Sequence, residues 1–138
     1  MASFTEALRG RLLADAAVAA RAEARIYWLV VPQGAAKPYI RMQVISDPRP
    51  EHLQDYDGAR RTIVRADCFA EKTETTGGYA ASRALALAVI AALARPAVAG
   101  GIRFGRGKAE GPRDLGEDTA GGQVHRASVD IAIEHTGE

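Results

Sequence analysis

The segment Arg126–Glu134, RASVDIAIE, sets Ala127, Val129, Ile131 and Ile133 in alternation with Arg126, Ser128, Asp130 and Glu134. A period of two fits a half-buried β-strand and no helix, because only successive strand residues point to opposite sides. The same alternation recurs in YIRMQVIS, where Ile40, Met42 and Val44 share a face opposite Arg41 and Gln43. It recurs again in RRTIVRADCFA, with Val64, Ala66, Cys68 and Ala70 on one side and Ile63, Arg65, Asp67 and Phe69 on the other. Strands with one apolar side need a second layer to cover it.

Two segments have the periodicity to supply that layer. Ser3 and Glu6 form a capping-box pair ahead of Phe4, Leu8, Leu12, Leu13, Ala16, Ala17 and Ala20, which predicts one helix from Phe4 to Arg21. A second helix is predicted from about Gly78 to Ala94, with Thr75 or Thr76 as its N-cap and Pro96 as its stop. Its buried face is Ala81, Leu85, Ala88, Val89, Ala92 and Leu93; Leu87 and Ile90 broaden it, which implies burial on two sides. IYWLVV, Ile26 to Val31, reads as a strand ended by Pro32, and Asp47–Gly58 as a loop. Helix, strands, helix, strands with hairpin-like links predicts an α+β fold, two helices on one face of a mainly antiparallel sheet.

A length of 138 residues suits a single domain spanning 1–138. With 18 basic and 17 acidic residues the chain carries a formal charge of +1, so it has no global field to hold nucleic acid or an anionic membrane. The start MASFTEALRG lacks a basic region before an apolar core, and ALALAVIAALA is too short to span a bilayer, so a cytosolic product and no membrane partner are expected.

Chemistry is sparse. His52, His125 and His135 are scattered and read as surface histidines, without metal-ligand spacing. Cys68 is the single cysteine, so no intrachain disulfide forms. Set among small residues on a strand, it reads as a packed thiol rather than a nucleophile, with Asp67 on the opposite face. GRGKAEG has its third glycine misplaced for a dinucleotide loop; Ile102 and Ala109 stand where a Walker loop needs glycine and a hydroxyl. No enzyme activity, cofactor or metal is expected.

Residues 105–122 are glycine-rich and predict a long irregular arm, mobile until a partner orders it. Its charges are segregated: Arg103, Arg106, Lys108 and Arg113 with Glu110 sum to +3, then Asp114, Glu117 and Asp118 to −3. Such an arm can pair head to tail with an identical neighbour, or can simply be a solvated loop. VPQGAAKPY brackets a short loop between Pro32 and Pro38, which narrows its shapes and lowers the cost of ordering it at an interface.

Taken together, EALRGRLLADAAVAA, RIYWLVVPQGAAKPYIRMQVIS, LQDYDGARRTIVRADCFAEKTE, ASRALALAVIAAL and the final alternating strand resemble the tail-completion, or tail-terminator, proteins of long-tailed bacteriophages and gene transfer agents. The resemblance is carried most by Pro32-Gln33-Gly34 leading to Pro38-Tyr39-Ile40, and by Gly58–Ala70 with the alanine- and leucine-rich helix after it; the arm departs from it. It implies a non-enzymatic virion protein that forms a ring, usually of six, capping the tail tube and meeting the neck. The implied partners are further copies of itself, the tube protein and a neck or stopper protein, with DNA passing through the lumen without specific binding. On that reading Pro32, Gln33, Gly34, Lys37, Pro38, Arg103, Arg106, Lys108, Arg113, Asp114, Glu117 and Asp118 are the candidate interface residues. The alternatives are another connector component, such as a stopper or head-completion protein, a small enzyme using Cys68 or a histidine, and a dimeric binding module.

Overall fold

A computed structural model describes residues 2–48, 59–71, 77–119 and 122–137. The chain runs α1 (Phe4–Ala14), α2 (Ala16–Ala22), β1 (Ile26–Trp28), β2 (Tyr39–Ser46), β3 (Ala59–Glu71), α3 (Gly78–Leu93), β4 (Ala97–Ala99), β5 (Ile102–Thr119) and β6 (Gly122–Thr136). The strands form one sheet in the order β1-β2-β3-β6-β5-β4. Only the β1–β2 pairing among these is parallel; the rest are antiparallel. The fold is α+β, as the alternating segments predict.

The predicted strand parities hold. Ile40, Cys68 and Ala127 stand in one row, and Met42, Ala66 and Val129 in the next. All six are buried beneath Leu8, Leu12, Val18, Leu85, Val89 and Leu93 of the helices. The capping box forms as the sequence requires: Glu6 N donates to Ser3 Oγ at 3.2 Å and Ser3 N to Glu6 Oε2 at 3.0 Å. At the other end of the layer, Arg11 donates to the carbonyls of Ala92 (3.1 Å) and Arg95 (2.8 Å), closing the end of α3.

Four expectations need correction. The first helix is two helices, because Asp15 adopts extended geometry and its Oδ1 accepts from Val18 N at 3.0 Å, recapping the chain as α2. The strand expected over 26–31 stops at Trp28, since Leu29 turns to φ +63° and directs the chain after it away from β2. The N-cap of α3 is Gly77; Thr75 and Thr76 lie outside the described residues, as do 49–58 of the expected loop. Most consequentially, the expected arm is strand: β5 pairs with β6 from Arg103↔Thr136 to Thr119↔Gly122, so only residues 120–121, which are not described, remain between the two.

The glycines that suggested a loop serve the strand. A Cβ on Gly107 would sit 2.5 Å from the Leu93 carbonyl oxygen, so glycine lets β5 approach the end of α3. Gly111, at φ +105°, occupies the irregularity between Glu110 and Arg113 where β5 slips register. Between β4 and β5, Gly100 (φ +58°) and Gly101 (φ +83°) form the two-residue link of a tight hairpin.

Candidate assembly surfaces

The predicted interface residues separate onto the two sides of the sheet. On the β1–β2 side, Ala35 N donates to the Pro32 carbonyl at 3.1 Å, closing a turn in which Gly34 takes φ +80°. That conformation belongs to the third position of a type II turn and suits glycine. Pro32, Gln33 and Gly34 are exposed, whereas Lys37 and Pro38 are half-buried against α2 and the end of β3. Arg25 Nε holds the loop down by donating to the Pro38 carbonyl at 2.8 Å.

On the opposite side, Arg103, Arg106 and Lys108 are exposed along β5. Arg113 turns back to Asp130 at 3.4 Å, and Asp114 accepts from Tyr79 Oη (3.2 Å) and Arg83 Nη1 (3.4 Å) on α3. Two charges assigned to a two-signed arm are thus engaged within the chain. Glu117 and Asp118 lie in register with Val124 and Gln123, and their side chains fall outside the described set.

Several surface features had no sequence signal. Leu29 and Val30 are 63% and 74% exposed, next to exposed Val44 and Ile45. Val98 on β4 is 68% exposed and walls an open cleft of about 530 Å³ with Pro96, Arg103, Phe104 and His135. Leu87 is half-exposed and Ile90 only partly buried, so within one copy the added breadth of α3 is covered in part.

The sheet face away from the helices carries an ordered polar lattice. Tyr39 stacks on Phe69 with centroids 4.9 Å apart, and Arg41 and Arg126 lie over the same ring. Arg41 also pairs with buried Asp67 at 3.2 Å. Asp130 takes Arg65 at 2.9 Å, and the hydrogen bond and charge of Arg65, helped by Arg113, hold its carboxyl below the usual carboxylate range. The guanidinium of Arg65 is correspondingly raised, chiefly by its hydrogen bond to Asp130.

The residues with chemical potential are built into packing. Cys68 is fully buried, and burial, reinforced by the Asp67 charge, pushes its thiol far up, so the nucleophilic thiolate is suppressed. His135 is buried rather than on the surface as expected, with Nε2 2.7 Å from Thr62 Oγ1 and its ring 4.2 Å from Phe4. Thr62 spends its hydroxyl proton on Asp47 Oδ1 at 3.1 Å, so Nε2 of His135 is the donor in that contact. The threonine therefore lies between histidine and aspartate, the reverse of a nucleophile–base–carboxylate order. Among the described residues no cluster of three metal-ligating side chains occurs, and no helix is long and apolar enough to cross a membrane.

Helices over one face of a sheet with two unlike flanks, with Cys68 and His135 sealed in packing, define a two-layer α+β domain. The family comparison gives that class a definite member: the model for tail completion protein gp17 matches residues 6–136, and the chain belongs to that family. It is accordingly a structural protein of a virion, with a role in completing the tail. Among solved structures, a chain from the virion of a native gene transfer agent particle shares the fold, with a TM-score of 0.67 and 20% identity. The match covers 98% of this chain and 96% of that one. A search of the curated proteins gave no significant match.

Proposed function

We propose that this protein is a tail terminator: a single-domain subunit whose copies close into a ring, a hexamer, on the last ring of the tail tube. The ring stops tube polymerisation and presents its other end to the neck, joining tail to head. Membership of the tail-completion family over residues 6–136 carries the reading. The unlike flanks of the sheet support it, because a head-to-tail contact between different surfaces generates a ring when its rotation closes. The partners are further copies of the chain, the tube protein and a neck protein. DNA traverses the lumen unread, in keeping with a formal charge of only +1.

In this arrangement the exposed Pro32–Gly34 turn of one copy and the Arg103, Arg106 and Lys108 strip of β5 are the surfaces that meet neighbours. Replacing Pro32 and Pro38 by glycine leaves a folded monomer and weakens assembly, since a looser loop must be ordered on binding; unaltered assembly removes the loop from the interface. The function itself is tested by polymerising purified tube protein with and without this chain and imaging the products. Capped tubes of limited length, with a ring at one end, are expected. Tubes that lengthen freely past bound protein contradict the proposal, and capture of the portal-side adaptor instead of the tube identifies a stopper.

A further inference from the structure

Leu29 combines two unusual properties. Its φ of +63° lies in the left-handed region, which is strained for a branched side chain, and its side chain is nevertheless largely exposed. Core packing does not account for that conformation, because the residue has little core contact. The strain turns the chain outward, and Val30, the most exposed large apolar residue in the described structure, follows directly. Leu29 N still donates to the Met42 carbonyl at 2.7 Å and Val30 N to the Trp28 carbonyl at 2.7 Å, so the knob is braced rather than loose.

The same flank is closed to strand addition. The Ile26 carbonyl accepts from Arg9 Nε at 2.8 Å and the Trp28 carbonyl from Val30 N, so β1 offers side chains rather than a hydrogen-bonding ladder. On the far side of the sheet, β4 and the start of β5 wall the cleft of about 530 Å³, with Pro96 and Val98 at its rim and Phe104 behind them. The knob lies level with the middle of β3 and the cleft level with its start. Trp28 is in register with Met42 and Ala66, and Phe104 with His135 and Arg60.

Five inter-strand steps separate β1 from β4, roughly 24 Å at about 4.8 Å per step. A copy therefore cannot fill its own cleft. A two-fold pairing through the β1 flank alone would set knob against knob and leave the cleft empty, whereas a head-to-tail contact joins apolar knob to apolar-rimmed cleft and repeats at every copy. We infer that Leu29 and Val30 of one copy insert into the Pro96–Val98–Phe104 cleft of the next copy, and that this is the contact that closes the ring. The inference rests on the ring reading above and specifies its interface.

Two single variants, Val30→Asp and Val98→Asp, each spoil one side of the contact. Each alone self-associates at least about 30-fold more weakly than the parent, the loss expected of a central interface anchor. An equimolar mixture recovers one sound contact, between the intact knob of one and the intact cleft of the other, and stops at dimers by native mass spectrometry. The double-cysteine variant Val30→Cys, Val98→Cys is oxidised on assembled tails, where copies are in place whatever their state in solution; buried Cys68 needs no change. A covalent ladder ending in a closed species is expected. Rings present without cross-links, or mixtures that rebuild full rings, overturn this interface while leaving the ring reading intact; assembled tails without rings overturn the ring reading itself. Leu29→Gly is the folding control, since it removes the strain that presents Val30 and the Leu29 part of the knob: it melts at or above the parent temperature yet assembles poorly. Normal assembly of that variant also overturns the inference.

Discussion

The two faces of the sheet are buried by different means. On one, Ile40, Met42, Val64, Val129 and Ile131 lie under three helices, and the cover is apolar. On the other none of the described helices lies, yet Asp67, Phe69 and Ser128 are exposed by only 4%, 7% and 1%. There the cover is lateral. Arg41, Arg126 and Tyr39 lay their long side chains across Phe69, and Arg41 reaches on to the carboxylate of Asp67. A strand face can thus be sealed by its own neighbours, and a low exposure does not by itself identify a second layer.

The difference makes the faces unequal in energy. Leu85→Ala on the helix side opens a cavity in a layer with no freedom to refill it, and is expected to cost about 3–5 kcal/mol in urea unfolding. Phe69→Ala on the open face removes an aromatic whose neighbours can relax into solvent, so its cost is expected to be smaller, about 1–3 kcal/mol. Equal losses at the two positions would erase the distinction and point to a cover over the open face.

The smallest effect sharpens the same contrast through pH. Asp130 titrates below its ordinary value of 3.8 in the folded chain because Arg65 and Arg113 favour its charged form. Its contribution is therefore fully present above that value and is lost as pH falls through the lower folded value. Asp130→Asn should flatten the stability profile in that acid range, measured by thermal melts across pH. The pair is partly exposed, so the step should be modest and should shrink with added salt. A variant profile that keeps the acid step would assign it to other carboxylates.

Much of the fold is legible in the sequence where side-chain period and burial agree. The alternation of 126–134 and 60–70 gives the central strands their faces, and Ser3 with Glu6 marks the first helix start. Legibility fails where a residue is used against its usual preference. Gly105, Gly107 and Gly111 read as loop, but β6 supplies a full ladder partner, and pairing overrides weak strand propensity. Asp15 reads as a helix-surface residue, but its carboxylate recaps the chain one turn before α2 settles. His135 carries no local sign that Phe4 and Thr62, both far along the chain, will bury it. The candidate interface is legible in the proline-bracketed turn and the basic strip, which one-dimensional patterns expose. Leu29 and Val30 escape because an apolar run between strand residues looks like strand interior, and only a positive φ turns it outward. The cleft at β4 is likewise invisible until the sheet order brings Val98 beside Phe104 and His135.

A tail terminator ends tail growth and joins the tail to the head. The most direct test of that role is the tail-length distribution, by electron microscopy, of particles assembled with the chain deleted and with it restored. Overlong, variable tails detached from heads, corrected on restoration, are the predicted result. Tails of ordinary length that remain joined to filled heads without the chain would contradict it.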